Sequence, residues 1–297
     1  MTISSLIKFL LKYLIKSFSP QILHAHYASS YGLLAYFLRF KPFVLSVWGS
    51  DLYYFPKQNI VNKYIIQKVI NSADHICSTS NAMKEIIIKD FNRSDCSLVP
   101  FGIDVNKFYP KNINSNNFTV GTIKSIESHN GIDCLISAAD IIINKLKFLD
   151  INFIVVGKGN LLQNMKLKVK KLKLEKNIKF FGHVPHNKTI NYFQKLSIFI
   201  AVSTRESFGV SILEAGSCEV PAITSDVGGL PEVNIDKKTG FVIGPKDPEI
   251  LAQKIIYLYK NEVLRKKMGK NARERIITQF NWTKNVRQML KIYKKVI

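Results

Sequence analysis

The chain has 297 residues, with 43 Lys and Arg against 21 Asp and Glu, a formal net charge of +22 at pH 7. Hydrophobic residues make up 46% and charged residues 22%, which excludes a wholly disordered, collagen-like or low-complexity chain. Cys77, Cys96, Cys134 and Cys218 form no C-x-x-C pair, so they read as reduced core thiols in a reducing compartment and not as a zinc site.

Residues 5–18 predict an amphipathic helix, with Lys8, Lys12 and Lys16 on one face. These lysines break the apolar run and no small-residue cleavage site follows, which argues against a signal peptide. No stretch reaches the roughly 18 uncharged apolar residues of a membrane span. The helix either covers its own sheet, the favoured reading, or lies on an acidic lipid surface. Short apolar runs then predict buried strands at 22–24, 43–47, 75–78 and 97–99, with a helix at 61–71. Residues 100–117, with Pro110 and an Asn/Ser-rich run, have the turn chemistry of a domain connection. One α/β unit therefore ends near residue 110. Beyond it, strands at 119–122, 152–156, 178–181, 198–201 and 222–224 alternate with helices at 131–146, 161–172, 186–196 and 211–217. Apolar strands alternating with helices give parallel sheets covered on both faces. The lysine-rich run 166–179 is a solvated face or part of an acidic-lipid surface.

The charge excess asks for a polyanionic partner. Lysine dominates arginine and no zinc-finger spacing or RNA-binding run is present, so an acidic membrane fits better than nucleic acid.

Residues 203–232 carry the chemistry. After the strand at 198–201 a helix opens near Ser207, with Glu206 at its start and Glu214 about two turns on, nearly on the same face. Gly209 permits close approach of a ligand to the backbone, and the helix N-terminus offers an anion site. A carboxylate further along can accept from a ribose diol. The Gly228-Gly229 turn after a second strand points into the same crevice.

The order Glu206-Ser207-Phe208-Gly209, Glu214-Ala215, Val220-Pro221-Ala222, Gly228-Gly229 with Glu232, then Thr239-Gly240-Phe241 resembles the retaining glycosyltransferases of family 4, which have the GT-B fold. Val99-Pro100-Phe101-Gly102-Ile103-Asp104, Val156-Gly157-Lys158-Gly159 and Phe181-Gly182-His183-Val184 add to it, so the resemblance runs from about Ile22 to Trp282. It implies an α/β protein with two Rossmann-like domains facing a cleft. The expected division is a shortened acceptor-side domain at 1–110, a nucleotide-sugar domain at 111–282, and a C-terminal helix at 283–297 packing back towards the first. Glu214 would hold the donor ribose, and Glu206 would face the donor sugar near the reacting centre. The backbone of Phe208, Gly209 and Val210 would reach sugar and phosphate, Gly157 would lie on the donor side, and Val184 would lie by the nucleobase.

In such enzymes an arginine and a lysine neutralise the departing diphosphate. Lys124 matches the arginine, a point charge in place of a fork. Asn130 stands where the lysine would be, and His129 is the nearest other cation. His26, Gly49 and Asp51 are the acceptor-side candidates, with Trp48 where the family often has histidine. The resemblance implies retention by front-face attack, no metal and no cofactor, with a UDP- or GDP-linked sugar as donor. It implies a glycan or lipid-linked acceptor in surface polysaccharide or lipopolysaccharide synthesis, and a cytoplasmic place, peripheral on the inner face of the membrane.

Only 21 residues precede Ile22, without the glycine-rich loop expected ahead of it. Three readings stay open: an active transferase; a nucleotide-binding remnant or half-enzyme needing a complementary upstream polypeptide; and a basic peripheral membrane protein retaining the fold.

Overall fold

The computed structural model describes residue 11 and residues 13–111 and 117–297. Residues 13–18 are helical, with Lys16 exposed, while Lys8 and Lys12 of the expected stripe lie outside the described residues. The chain forms two compact units, Met1–Phe101 with Thr283–Ile297, and Gly102–Trp282. The division falls at Phe101 and not near residue 110, because the intervening residues pack with the second unit. Ile103 N donates to Phe280 O at 2.8 Å, and Ser217 Oγ donates to Phe108 O at 2.6 Å.

In the first unit, β1 (Leu23–His26), β2 (Phe43–Val47), β3 (His75–Ser78) and β4 (Cys96–Leu98) form a parallel sheet in that order. The strands are apolar because helices cover the sheet. One layer is α1 (Leu33–Leu38), α2 (Ile60–Ser72) and α3 (Asn81–Phe91), packed through residues such as Leu45, Ile66, Ile70 and Ile87. The Asn59 side chain caps α2 through Asn62 N at 2.8 Å. Ser80 Oγ likewise accepts from Met83 N to start α3. Sequence reading passed over α3, although Met83, Ile87 and Phe91 recur at a four-residue spacing and are all buried.

The second unit is a six-stranded parallel sheet of β5 (Thr119–Ile123), β6 (Asn152–Val156), β7 (Ile178–Gly182), β8 (Ile198–Ala201), β9 (Ala222–Ser225) and β10 (Gly240–Ile243). Its order is β10-β9-β8-β5-β6-β7. The longer helices are α4 (Ile132–Asp140), α5 (Leu162–Lys171), α6 (Val210–Ser217), α7 (Pro248–Lys260) and α8 (Glu262–Gln279). The helix expected at 131–146 ends its α-helical part at Asp140 and continues as a π-helical segment, Ile141–Lys145. That expected at 186–196 is a 3-10 turn, His186–Lys188, followed by the single turn Ile190–Phe193. A last helix, α9 (Trp282–Val296), sets Ile292 against Val44, Cys77 and Val99 of the first unit.

The four cysteines are buried and free of disulfides. Burial pushes the Cys77 thiol up to about 12. Among the described residues, no helix is long and apolar enough to cross a membrane.

Candidate active site

Strand order places the chemistry in the second unit. The chain steps outward from β5 to β6 and β7, then crosses to β8, β9 and β10 on the other side of β5. Loops leaving β5 and β8 therefore diverge, which opens a crevice at the carboxyl ends of these two strands. Lys124 follows β5, while Ser203 and Glu206 follow β8. Lys124 Nζ donates to Ser203 Oγ at 2.7 Å and to Glu206 Oε2 at 3.0 Å, so the pair spans the switch point. The two side chains are 10% and 23% exposed, so their charges interact through little water. An ammonium has three N–H donors, and these contacts use two of them.

Gly157 follows β6 with φ +146°, and its N–H donates to Gly182 O at 2.7 Å. A Cβ built there would lie 1.9 Å from the Lys124 carbonyl oxygen. The glycine thus lets the β6 loop press against the backbone that carries Lys124. Val184, half-buried, lies two residues beyond β7.

The loop after β5 is built differently from the expectation around residues 129–130. Asn130 is buried and its amide donates to Ser125 O and Ser125 Oγ, both at 2.8 Å, which ties the loop together. His129 O accepts from Thr204 N at 2.8 Å, fastening this loop to the one after β8. Burial first, then the charges of Arg205 and Lys124, hold the His129 ring below the ordinary histidine range. Its imidazole is therefore a neutral partner at neutral pH. Arg205, exposed and one residue before Glu206, brings a cation to this region that sequence reasoning missed.

Glu206 lies outside the helix it was expected to open. α6 starts at Val210, and Gly209 ahead of it has φ +101°, a left-handed conformation that glycine adopts without steric cost. The two glutamates thus do not share a helical face: Glu206 belongs to the loop and Glu214 to the second turn of α6. Gly209 brings no side chain to cap α6, and Ile212 N donates to Gly209 O at 3.0 Å, which leaves the positive end of the dipole to the N–H groups of Val210 and Ser211. Phe208 is buried with its ring against Phe280, at 5.7 Å, and Val210 is exposed. The Gly228-Gly229 turn after β9 lies against this loop, with Gly229 N donating to Glu206 O at 3.4 Å.

Glu214 is buried, and its Oε1 lies 2.6 Å from His186 Nε2. Burial pushes its carboxyl above the ordinary range, opposed by the hydrogen bond from His186 and by the charges of His186 and Lys107. The His186 ring sits 5.6 Å from that of Phe108 and is otherwise open to water. His186 escaped the sequence reading; its one signal was a histidine in the polar turn after Val184-Pro185. Among the described residues, no three His, Cys, Asp or Glu side chains gather as a metal site.

In the first unit, β1 and β2 end in a cluster of rings. His26 lies 4.1 Å from His24 and 5.1 Å from Trp48, centroid to centroid. Burial lowers the His26 pKa. His24 Nδ1 is 2.6 Å from the Tyr293 hydroxyl of α9 and its Nε2 is 2.8 Å from Ser46 Oγ. Burial, then the neighbouring His26, takes the His24 pKa down to about 4. Asp51, the third acceptor-side candidate, lies inside the unit. It is fully buried, and its carboxylate accepts from the backbone N–H groups of Ala28 at 2.9 Å, Gly49 at 2.7 Å and Trp48 at 3.2 Å. Burial still leaves its pKa raised. Its work is to fasten the loops after β1 and β2, with Gly49 at φ +141° between them.

Residues 106–275, more than half of the chain, match the family described as Glycosyl transferases group 1. The chain belongs to that family. Residues 2–80 of this glycosyltransferase match the family described as Glycosyl transferase 4-like. It is 30% identical to an uncharacterized glycosyltransferase of Methanocaldococcus jannaschii, over 96% of this chain and 78% of that protein. It is also 30% identical to the capsular polysaccharide biosynthesis glycosyltransferase CapM of Staphylococcus aureus, over 72% of this chain and 57% of CapM. Among solved structures, Anabaena HepE in complex with UDP-glucose superposes with a TM-score of 0.86 at 19% identity, covering 99% of this chain and 84% of HepE. The transferase thus has the α/β GT-B architecture, with two parallel sheets.

Proposed function

We propose that this glycosyltransferase moves a sugar from a UDP- or GDP-linked donor to a glycan or lipid-linked acceptor, with retention and without a metal, in surface polysaccharide or lipopolysaccharide synthesis. The observation that carries the reading is the Lys124–Glu206 pair across the β5/β8 switch point, beside the uncapped start of α6. HepE, of the same fold, binds UDP-glucose, and CapM acts in capsular polysaccharide biosynthesis, which supports the donor class and the setting.

As the bond from the anomeric carbon to the diphosphate oxygen breaks, negative charge grows on the diphosphate. The remaining N–H of Lys124 and the first-turn N–H groups of Val210 and Ser211 stabilise that charge, and Arg205 and His129 lie on the loops beside them. Glu206 holds Lys124 and faces the donor sugar. Glu214 accepts from the donor ribose, and the backbone at Val184 meets the base. The acceptor hydroxyl attacks on the face the diphosphate leaves; its proton passes to a diphosphate oxygen as the new carbon–oxygen bond forms. His26 and the Gly49 backbone serve the acceptor side, with Asp51 fixing their loops. The net charge of +22 suits an enzyme working in the cytoplasm against the anionic inner face of a membrane.

The test is thermal unfolding of the purified protein with UDP, GDP, ADP and their common sugar conjugates. A ligand at a hundred times its Kd adds about 2.7 kcal/mol to stability. One nucleotide series should raise the Tm, and Glu214→Ala should weaken that ligand. No rise with any nucleotide refutes the donor site, and undiminished affinity in Glu214→Ala refutes the ribose role.

A further inference from the structure

We propose that His186 is the positioning residue of the nucleotide site, holding the Glu214 carboxylate in the orientation that lets its other oxygen take the ribose diol of the donor. The proposal rests on the reading of Glu214 as the ribose acceptor. Its ground is geometric. Glu214 is 9% exposed along its side chain and projects from α6, whereas His186 comes from the turn after β7, 28 residues earlier. A carboxylate only accepts, so at 2.6 Å the hydrogen belongs to His186 Nε2, which donates to Oε1. One carboxylate oxygen is thereby fixed and Oε2 is left to a second donor. A ribose offers two hydroxyl donors on one edge, which suits a carboxylate whose rotation is already arrested.

The surroundings favour this role over a purely structural one. The His186 ring is 65% exposed, so it contributes little to the core, yet it is steadied by the Phe108 ring and aimed at a buried acid. Around Glu214 the titratable and charged groups are His186 from its turn and Lys107 from the segment ahead of Phe108. Arg273 of α8 lies near Cys218, beyond the end of α6. Burial raises the Glu214 carboxyl and His186 is the largest influence opposing it. Removing His186 therefore does two things: it frees the carboxylate to turn, and it lets the acid take up a proton at higher pH.

The experiment is calorimetric titration of the full chain with the nucleoside diphosphate that stabilises the wild type, and with its 2′-deoxy form, between pH 5 and 8. His186→Ala should weaken the ribonucleotide about tenfold, in the range of one charge-assisted hydrogen bond. The deoxynucleotide should lose less, so the preference for ribose narrows. The pH below which affinity falls should move upward. His186→Gln, which can offer an N–H to the same oxygen, should recover most of the affinity. The exposed ring makes unfolding an unexpected result, and an unchanged Tm of the unliganded variants checks it. Wild-type binding matched by His186→Ala in affinity, ribose preference and pH profile overturns the role of His186 and leaves the donor site standing. Wild-type protein that binds none of the nucleotides overturns the donor reading, and the role of His186 with it.

Discussion

Gly157→Ala tests how the β6 loop places Lys124. An alanine here faces two penalties. The backbone sits at φ +146°, where a residue with a Cβ is strained by about 1–3 kcal/mol. The added Cβ would also stand 1.9 Å from the Lys124 carbonyl oxygen and 2.9 Å from its carbon. Neither atom is the end of a flexible side chain, so the strand ends must separate, at about 1–3 kcal/mol more. A combined cost of about 3 kcal/mol, in the lower half of that sum, is expected because the two distortions share one backbone shift. At roughly 2–4 °C per kcal/mol for a unit of this size, the Tm should fall by about 6–12 °C in differential scanning calorimetry. Gly182→Ala is the matched control. Its φ is +66°, but a Cβ there meets nothing within 4 Å, so only the smaller backbone strain of about 1 kcal/mol applies. The displaced atoms belong to Lys124, so nucleotide affinity should drop in the Gly157 variant and hold in the Gly182 variant. A Gly157→Ala protein melting within about 2 °C of wild type would refute the packing argument, as would equal losses in both variants.

Two further perturbations probe chemistry and stability. Lys124→Met keeps the packing of the stem and removes the charge, so sugar transfer should fall by about 10²–10³-fold, the scale of one lost electrostatic contact to a leaving group, and the Tm should fall as well because Glu206 loses its partner. Turnover within about threefold of wild type would remove Lys124 from the mechanism. His24 predicts an acid limb in the first unit. Its native pKa is about 4 against 6.5 unfolded, so between those values the unfolded chain binds a proton that the native ring does not, and stability rises with pH. Acidification through that window should cost about 2 kcal/mol, allowing for solvent screening of a partly exposed ring. Urea unfolding near pH 4 and pH 7 should show that loss shrinking in His24→Asn; an unchanged acid limb would count against it.

Much of the fold lay open in local pattern. Runs such as residues 43–47 and 152–156 are apolar without alternation because both faces of a parallel strand are covered, so each could be read without its partners. The glutamates and glycines of residues 203–232 could be placed near a strand end for the same local reason. The pattern at 211–217 marks the body of α6 to within a residue, but an opening near Ser207 is three residues early, because a left-handed Gly209 interrupts the path from Glu206 and a conformation at one residue has no periodicity to betray it.

The sequence by itself determined the α/β class, the alternation of the strands as far as β9 with most of the helices between them, and the residues able to carry charge at strand ends, since these depend on neighbours a few positions apart. Only the tertiary structure decided which of those groups meet. Lys124 reaches Glu206 across 82 residues because β8 pairs with β5, and His186 reaches Glu214 because α6 packs near the turn after β7. Asp51, an acceptor-side candidate from its place after β2, is held inside by three backbone N–H groups that no short-range pattern announces. The physical reason is the same in each case. A polar side chain leaves water only where the fold supplies partners, and those partners come from whichever strands the sheet brings together.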